Sequence, residues 1–274
     1  MDATRNAGYS RYNALQIQFR RRMSYGLQAL VSYTLAKSND LGSSDESGVT
    51  AASVSQVVLP PLMPSVYDIR QSVAGAVSYE IPAPAWGRTG NAILKGWAVD
   101  GLFRVTSAWP INVTIGVVSP AGAYPTITQP DIVPEQPYWL AAPTQPGGKI
   151  LNPAAFTRPP AGQTGDFRRD GLRGIFSLDQ TDLALRRRFT LTERVKLDIR
   201  AEYFNVFNHP MFGAPGSRWA PSTFWGYGKT PSPFFGLTTP VLSGGTTNYT
   251  LGGQSPQYEV GGPRSAQFTV KLLF

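Results

Sequence analysis

Residues 194–210 read RVKLDIRAEYFNVFNHP, with Lys196, Asp198, Arg200 and Glu202 at alternate positions and Val195, Leu197, Ile199, Ala201 and Tyr203 between them. A side-chain period of two is the strand period, so one face of this segment is apolar and the other carries four charges of alternating sign. The fold turns on which solvent each face meets.

The same alternation recurs in both directions along the chain. Upstream, 180–191 sets Leu183, Leu185, Phe189 and Leu191 against Asp182, Arg186 and Arg188. Before it, Trp97, Val99, Phe103, Val105 and Trp109 oppose Asp100, Arg104 and Thr106, and residues 68–82 oppose Ile69, Val73, Val77, Tyr79 and Ile81 to Arg70, Ser72, Ser78 and Glu80. Residues 12–22 and 27–37 form a hairpin with one greasy face, and the chain closes on SAQFTVKLLF at 265–274. Seven long strands are thus expected. Their connections alternate between short and long: MSYG at 23–26, a loop at 39–66, APAWGRTGNAILK at 83–95, a Pro- and Gly-rich stretch at 117–177, TER at 192–194, and a second long stretch at 209–264. The stretch at 117–177 is far longer than compact domains tolerate without structure, so either it is functional or it hides elements that periodicity misses.

Composition agrees with a β-rich chain. Of 274 residues, 28 are Gly, 24 are Pro and 12% are aromatic, while only 15% are charged. No run of about 18 apolar residues exists, which excludes a transmembrane helix but not a strand of about 9–11 residues with alternate ones apolar. The absence of cysteine removes disulfides and thiolate chemistry without fixing a compartment. The start, MDATRNAGYS, lacks the apolar core of a secretory signal peptide. The net charge of +8 and the runs FRRRM and LRRRF invite a nucleic-acid reading, but no recognition motif accompanies them. Each run ends a strand before a tight turn, where arginines snorkel to a membrane interface.

Strands of 10–15 residues, loops segregated by length, and aromatics near strand ends are the signature of an antiparallel transmembrane barrel with short periplasmic turns and long extracellular loops. The expected fold is all-β, a barrel segment with Lys196, Asp198, Arg200 and Glu202 facing a watery lumen. The alternative is a soluble β-sandwich, a binding or hydrolytic domain whose apolar face meets a second sheet.

Six stretches carry a family resemblance: YNALQIQFRRRMSYGLQALVSYTLAKSND, YDIRQSVAGAVSYEIP, LKGWAVDGLFRVTSAWPINV, LNPAAF, LTERVKLDIRAEYFNVFNHPMFG and RSAQFTVKLLF. Together they resemble the C-terminal part of TonB-dependent outer-membrane receptors, closest to the Oar-like group with a carboxypeptidase-regulatory-like domain. The resemblance implies that residues 1–274 are a partial barrel domain in the outer membrane of a Gram-negative-type bacterium, without the plug, signal peptide or TonB-contacting segment. Its implied partners are outer-membrane lipid, the missing N-terminal barrel and plug, and TonB only through those parts. Phe268, Val270, Leu272 and the terminal Phe274 resemble the signal read by the barrel-assembly machinery. The implied activity, energy-coupled uptake of a bulky solute, belongs to the complete receptor.

Catalysis, cofactor and metal are not expected. His209 is the only histidine, placed at a strand end before Pro210, without a carboxylate in register with it. GGTTNYTLGGQ lacks the helix start of a phosphate loop, and the glycosylation matches at Asn112 and Asn248 are chance in a bacterial setting. Trp139, Trp219, Trp225 and Tyr227, in the long loops, are the candidate residues for stacking on a ligand.

Overall fold

In the computed structural model, the residues described are 8–41, 61–82, 87, 95–118, 125–160, 163–175, 177–209, 215–220, 222–223, 226–227, 231–238 and 263–274. Seven long strands run in chain order: β1 Ser10–Ser24, β2 Leu27–Asp40, β3 Gln71–Glu80, β4 Trp97–Thr106, β5 Leu178–Thr190, β6 Lys196–Phe204 and β7 Ser265–Leu273. Each pairs antiparallel with its sequence neighbour, giving the sheet order β1-β2-β3-β4-β5-β6-β7, and Met63–Pro64 adds a short rung to β2. β3 is shorter than the 68–82 expected from alternation, because Asp68, Ile69 and Arg70 are used at the rim instead of in the ladder.

The short connections are tight for identifiable reasons. Tyr25 and Gly26 both have positive φ (51° and 77°), which is the mirror-image two-residue turn that matches strand twist. Gly26 is required there: Glu80 N–H donates to its carbonyl at 2.7 Å, and a Cβ would stand 2.5 Å from the Glu80 carbonyl oxygen. Between β5 and β6, Leu191 N–H and Thr192 N–H both donate to the Val195 carbonyl, and Val195 N–H donates to Thr192 Oγ1. Residues opposite one another share a face, so the register extends the alternation across strands. Leu185 lies between Val99 and Ala201, and Ile199 faces Val270.

The sheet has no covered apolar side among the described residues. Leu15, Ile17 and Phe19 on β1 are 54–59% exposed, and Phe268 on β7 is 67% exposed. A soluble sandwich would bury this face under a second sheet; none of the described residues does so. The barrel is also open, because β1 and β7 do not pair with each other.

The buried apolar core lies elsewhere. Ile111, Val113, Ile115, Leu151, Ala155, Phe156, Phe167, Leu172, Trp219, Ala220 and Phe235 form one cluster, and none of them belongs to β1–β7. These residues come from the two long stretches after β4 and β6. The 117–177 segment is therefore not a bare loop but most of a folded cap. It is built from minimal pairings: Pro110–Ile111 with Leu172–Arg173, Asp131–Ile132 with Phe156–Thr157, and Trp139–Ala141 with Lys149–Leu151. Thr114–Val118 pairs antiparallel with Pro125–Thr128 and parallel with Arg218–Ala220, which ties the second long stretch to the first. The LNPAAF motif is the keystone. Asn152, 4% exposed, accepts from Ala154 N–H and donates to the Pro137 carbonyl, fixing the turn that buries Leu151, Ala155 and Phe156.

Candidate functional site

Two features at the ends and face of the sheet can act on a solute: the charged face of β3–β7 and the cap over the long-connection rim. On the charged face the alternating signs neutralise one another across strands. Asp100 on β4 accepts from Arg186 Nε on β5 at 3.0 Å and from Ser78 Oγ on β3 at 2.6 Å. Arg200 on β6 lies 3.6 Å from Asp100 and 3.0 Å from Glu202, and Arg188 forms a two-pronged pair with Asp198 at 2.7 and 2.8 Å. Arg186, Arg187, Arg188, Asp198, Ile199, Arg200, Thr269 and Lys271 line a groove here. Three of the four residues expected to face a lumen are thus ion-paired: Arg200 and Glu202 in a chain with Asp100 and Arg186, and Asp198 in a separate pair with Arg188. Lys196 occupies the same face, opposite Thr190 and Leu273.

The cap is held to the rim by a clasp that sequence alternation did not reveal. Arg169 reaches Asp40 at the end of β2, donating to its carboxylate at 2.6 Å and its carbonyl at 2.8 Å. Arg173 binds both the carboxylate and the carbonyl of Asp68, whose other oxygen accepts from Ser38 N–H at 2.8 Å. The signal was present as RRDGLR at 168–173, yet a basic run facing two acids more than 100 residues away has no local signature.

Between the two arginines sits Asp170, 5% exposed and at φ 50°. Burial pushes its pKa up to about 6, with Asp40 adding to the rise, while Arg169 and Arg173 oppose it. A carboxyl whose folded pKa exceeds its unfolded value binds its proton more tightly in the fold. Its contribution to cap stability is therefore greatest below about pH 4 and is lost as pH rises to about 6. Asp170→Asn keeps a residue tolerant of positive φ and removes the titration. We expect it to stabilise the cap by about 1–2 kcal/mol above pH 6 and to flatten the slope between pH 4 and 6, read as hydrogen exchange of the cap against pH. An unchanged slope would remove Asp170 as its source.

The candidate stacking residues are not brought together as one exposed surface. Trp219 is buried, with its indole N–H donating to the Pro153 carbonyl at 2.8 Å. Trp139 is half-buried against the cap core. Trp225 lies outside the described residues, as does residue 248, and of Tyr227 only the strand backbone is described. His209 requires a correction. A carboxylate does reach it, since Asp179 Oδ2 lies 3.0 Å from Nδ1, because Asn205 and Asn208 turn the chain back over the start of β5. Asn205 adopts positive φ, donates its N–H to Asp182 and accepts from His209 N–H. This pair is a rim contact; among the described residues no cluster of three His or carboxylate ligands exists.

The assembly signal residues Phe268, Val270 and Leu272 share the apolar face of β7, and Phe274 follows it, 98% exposed. Leu273 pairs with Lys196 and Lys196 with Thr190, which puts the C-terminus at the rim of the short connections, together with the ends of both arginine runs.

Residues 1–243 match a family model described as an outer membrane beta barrel domain. No curated protein and no solved structure matches the chain.

Proposed function

The chain belongs to the outer membrane beta barrel domain family, and from that premise we propose that it is the C-terminal part of the barrel wall of a TonB-dependent receptor of the Oar-like kind, which takes up a bulky solute across the outer membrane of a Gram-negative-type bacterium. The observation that carries this reading is the combination of an open seven-stranded wall with a folded cap over one rim. β1 and β7 both run toward the short-connection rim, so they cannot meet as an antiparallel seam. In lipid each unpaired backbone group costs several kcal/mol, so both edges need further strands, and an odd number of them restores antiparallel pairing throughout. In this reading the short turns are periplasmic and the cap is extracellular. The wall is inserted by the barrel-assembly machinery through Phe268, Val270, Leu272 and Phe274. The plug and the remaining strands supply the contact with TonB. The role is binding and passage; no catalysis and no cofactor is assigned, and solute contact falls to the long-connection side, where half-buried Trp139 is the stacking candidate among the described side chains.

Two measurements test it. Residues 1–274 alone in a planar bilayer should give no steady unitary conductance; a uniform conductance from the monomer would make the chain a small pore in its own right. Photo-crosslinking of the complete outer-membrane polypeptide in energised cells should capture TonB. Absence of capture, with solute flux indifferent to collapse of the proton gradient, would replace energy-coupled uptake by passive diffusion.

A further inference from the structure

On β1 the row of side chains that contains Leu15, Ile17 and Phe19 carries a cation toward each rim, Arg11 beside the long connections and Arg21 beside the short ones. At about 3.3 Å per residue and a tilt of about 40°, the separation of Arg11 and Arg21 rises about 25 Å, the height of a barrel's apolar band. Both guanidiniums therefore sit where hydrocarbon gives way to headgroups. They differ in company. Arg21 donates to the Ser24 carbonyl at 3.3 Å, whereas Arg11 has a second cation beside it. The register sets Arg11 opposite Asn39 and Asn13 opposite Lys37, and Lys37 shares the face of Leu35 and Tyr33.

Cation and amide thus alternate over two paired strands. Diagonal neighbours on such strands lie about 7–8 Å apart, so the long side chains of Arg11 and Lys37 can close on one group between them. Arg11, Asn13 and Lys37 are exposed, and among the described residues no hydrogen bond or ion pair engages either cation. The acids beside this end of β2, Asp40, Asp68 and Asp170, are paired with Arg169 and Arg173 of the cap. On the same face of β5, Asp179 meets His209. Arg11 and Lys37 repel each other, and an anion seated between them removes that cost. A guanidinium and an ammonium take phosphate oxygens, while the two amides can donate to ester or hydroxyl oxygens. Toward the middle of the same face, Leu15, Ile17, Tyr33 and Leu35 offer the surface that acyl chains cover.

We propose that Arg11, Asn13, Lys37 and Asn39 form a binding site for a phosphate-bearing lipid headgroup, in the leaflet at the rim of the long connections. The site rests on the lipid-face assignment and is independent of energy coupling.

The test uses the complete polypeptide as assembled in its own membrane, so that the strands flanking β1 are present, purified in a neutral detergent. The probe is a diphosphorylated glycolipid, compared with the same lipid stripped of its phosphates and titrated by native mass spectrometry. Wild type should prefer the phosphorylated form. The double variant Arg11→Gln, Lys37→Gln should bind it about 25-fold more weakly, at about fivefold per cation. Arg20→Gln, on the opposite face of β1, and Arg21→Gln, at the opposite rim, should leave the affinity unchanged. Should the double variant fail to assemble, a photoactivatable form of the phosphorylated lipid added to wild type should label the peptide containing Arg11 or that containing Lys37. Unchanged affinity in the double variant, equal loss in Arg20→Gln or Arg21→Gln, labelling confined to other strands, or displacement by an equal concentration of inorganic phosphate would each overturn the site. A nitroxide on Ile17→Cys separates the two ways of failing: low collision with oxygen there denies the lipid face itself, whereas high collision without a preference for phosphate denies this site alone.

Discussion

Leu185→Arg is expected to lower membrane assembly by the equivalent of about 2–4 kcal/mol, whereas Gln267→Arg should be close to neutral. Leu185 lies in the middle of β5 on the apolar face, between Val99 and Ala201, with neighbouring β strands on both sides and no layer over it among the described residues. A guanidinium there meets hydrocarbon and is too far from either rim to snorkel. Gln267 sits on the charged face of β7 opposite Glu202, so an arginine at that position meets water and an acid. The ratio of folded to unfolded protein in outer-membrane fractions, scored by heat-modifiable mobility, separates the two variants. Similar yields from both would mean that the faces are assigned wrongly. Leu197, at the second position of β6, is a weaker probe, since it lies at the short-connection rim where the penalty fades.

Asp68→Ala is expected to release the cap from the sheet. The Asp68 side chain is 3% exposed and holds Arg173, the Ser38 N–H and, at 4.0 Å, Arg70. Removing one member of a buried ion pair costs about 3–5 kcal/mol because the other charge is left unmatched. Arg173 is 36% exposed and regains part of that from water, which brings the expected loss to about 2–4 kcal/mol. Limited proteolysis should then cut within 158–175 while β1–β7 stay protected. Arg188→Ala also removes a two-pronged ion pair, yet both partners are more exposed, and the expected change is below about 1 kcal/mol. A cap as resistant in Asp68→Ala as in the wild type would show that the apolar cluster alone holds it.

The seven strands, their order and the two faces were legible because a half-buried or lipid-facing strand must alternate, and strands of 9–15 residues leave enough periods to read. The pairing of Asp198 with Arg188 on the adjacent strand follows from alternating signs in register, whereas Arg200 stands opposite Arg186 and is neutralised by Asp100 one strand further away and by Glu202 on its own strand. The cap was illegible for the opposite reason. Its ladders are two to five residues long, too short to show a period, and its core residues come from segments as distant as Ile111 and Phe235. Turn chemistry was the available clue: Pro153 after Asn152 marks a capped turn, and the apolar residues around it become core only once the chain folds back. The same limit hid Asp179 from His209, since the contact depends on Asn205 and Asn208 adopting positive φ. Trp219 looked available for stacking because sequence cannot tell a buried indole from an exposed one.

Leu197, Ile199, Ala201 and Tyr203 are expected to meet lipid, and Lys196, Asp198, Arg200 and Glu202 to meet water. The chain has no cysteine, so single cysteines at 196–203 can carry a nitroxide without background labelling. In the membrane-assembled protein, collision rates with oxygen should be high at the odd positions, and those with a water-soluble nickel chelate should be high at the even ones. Nickel accessibility at Ile199 and Ala201 equal to that at Asp198 and Arg200 would contradict the claim and place both faces of β6 in water.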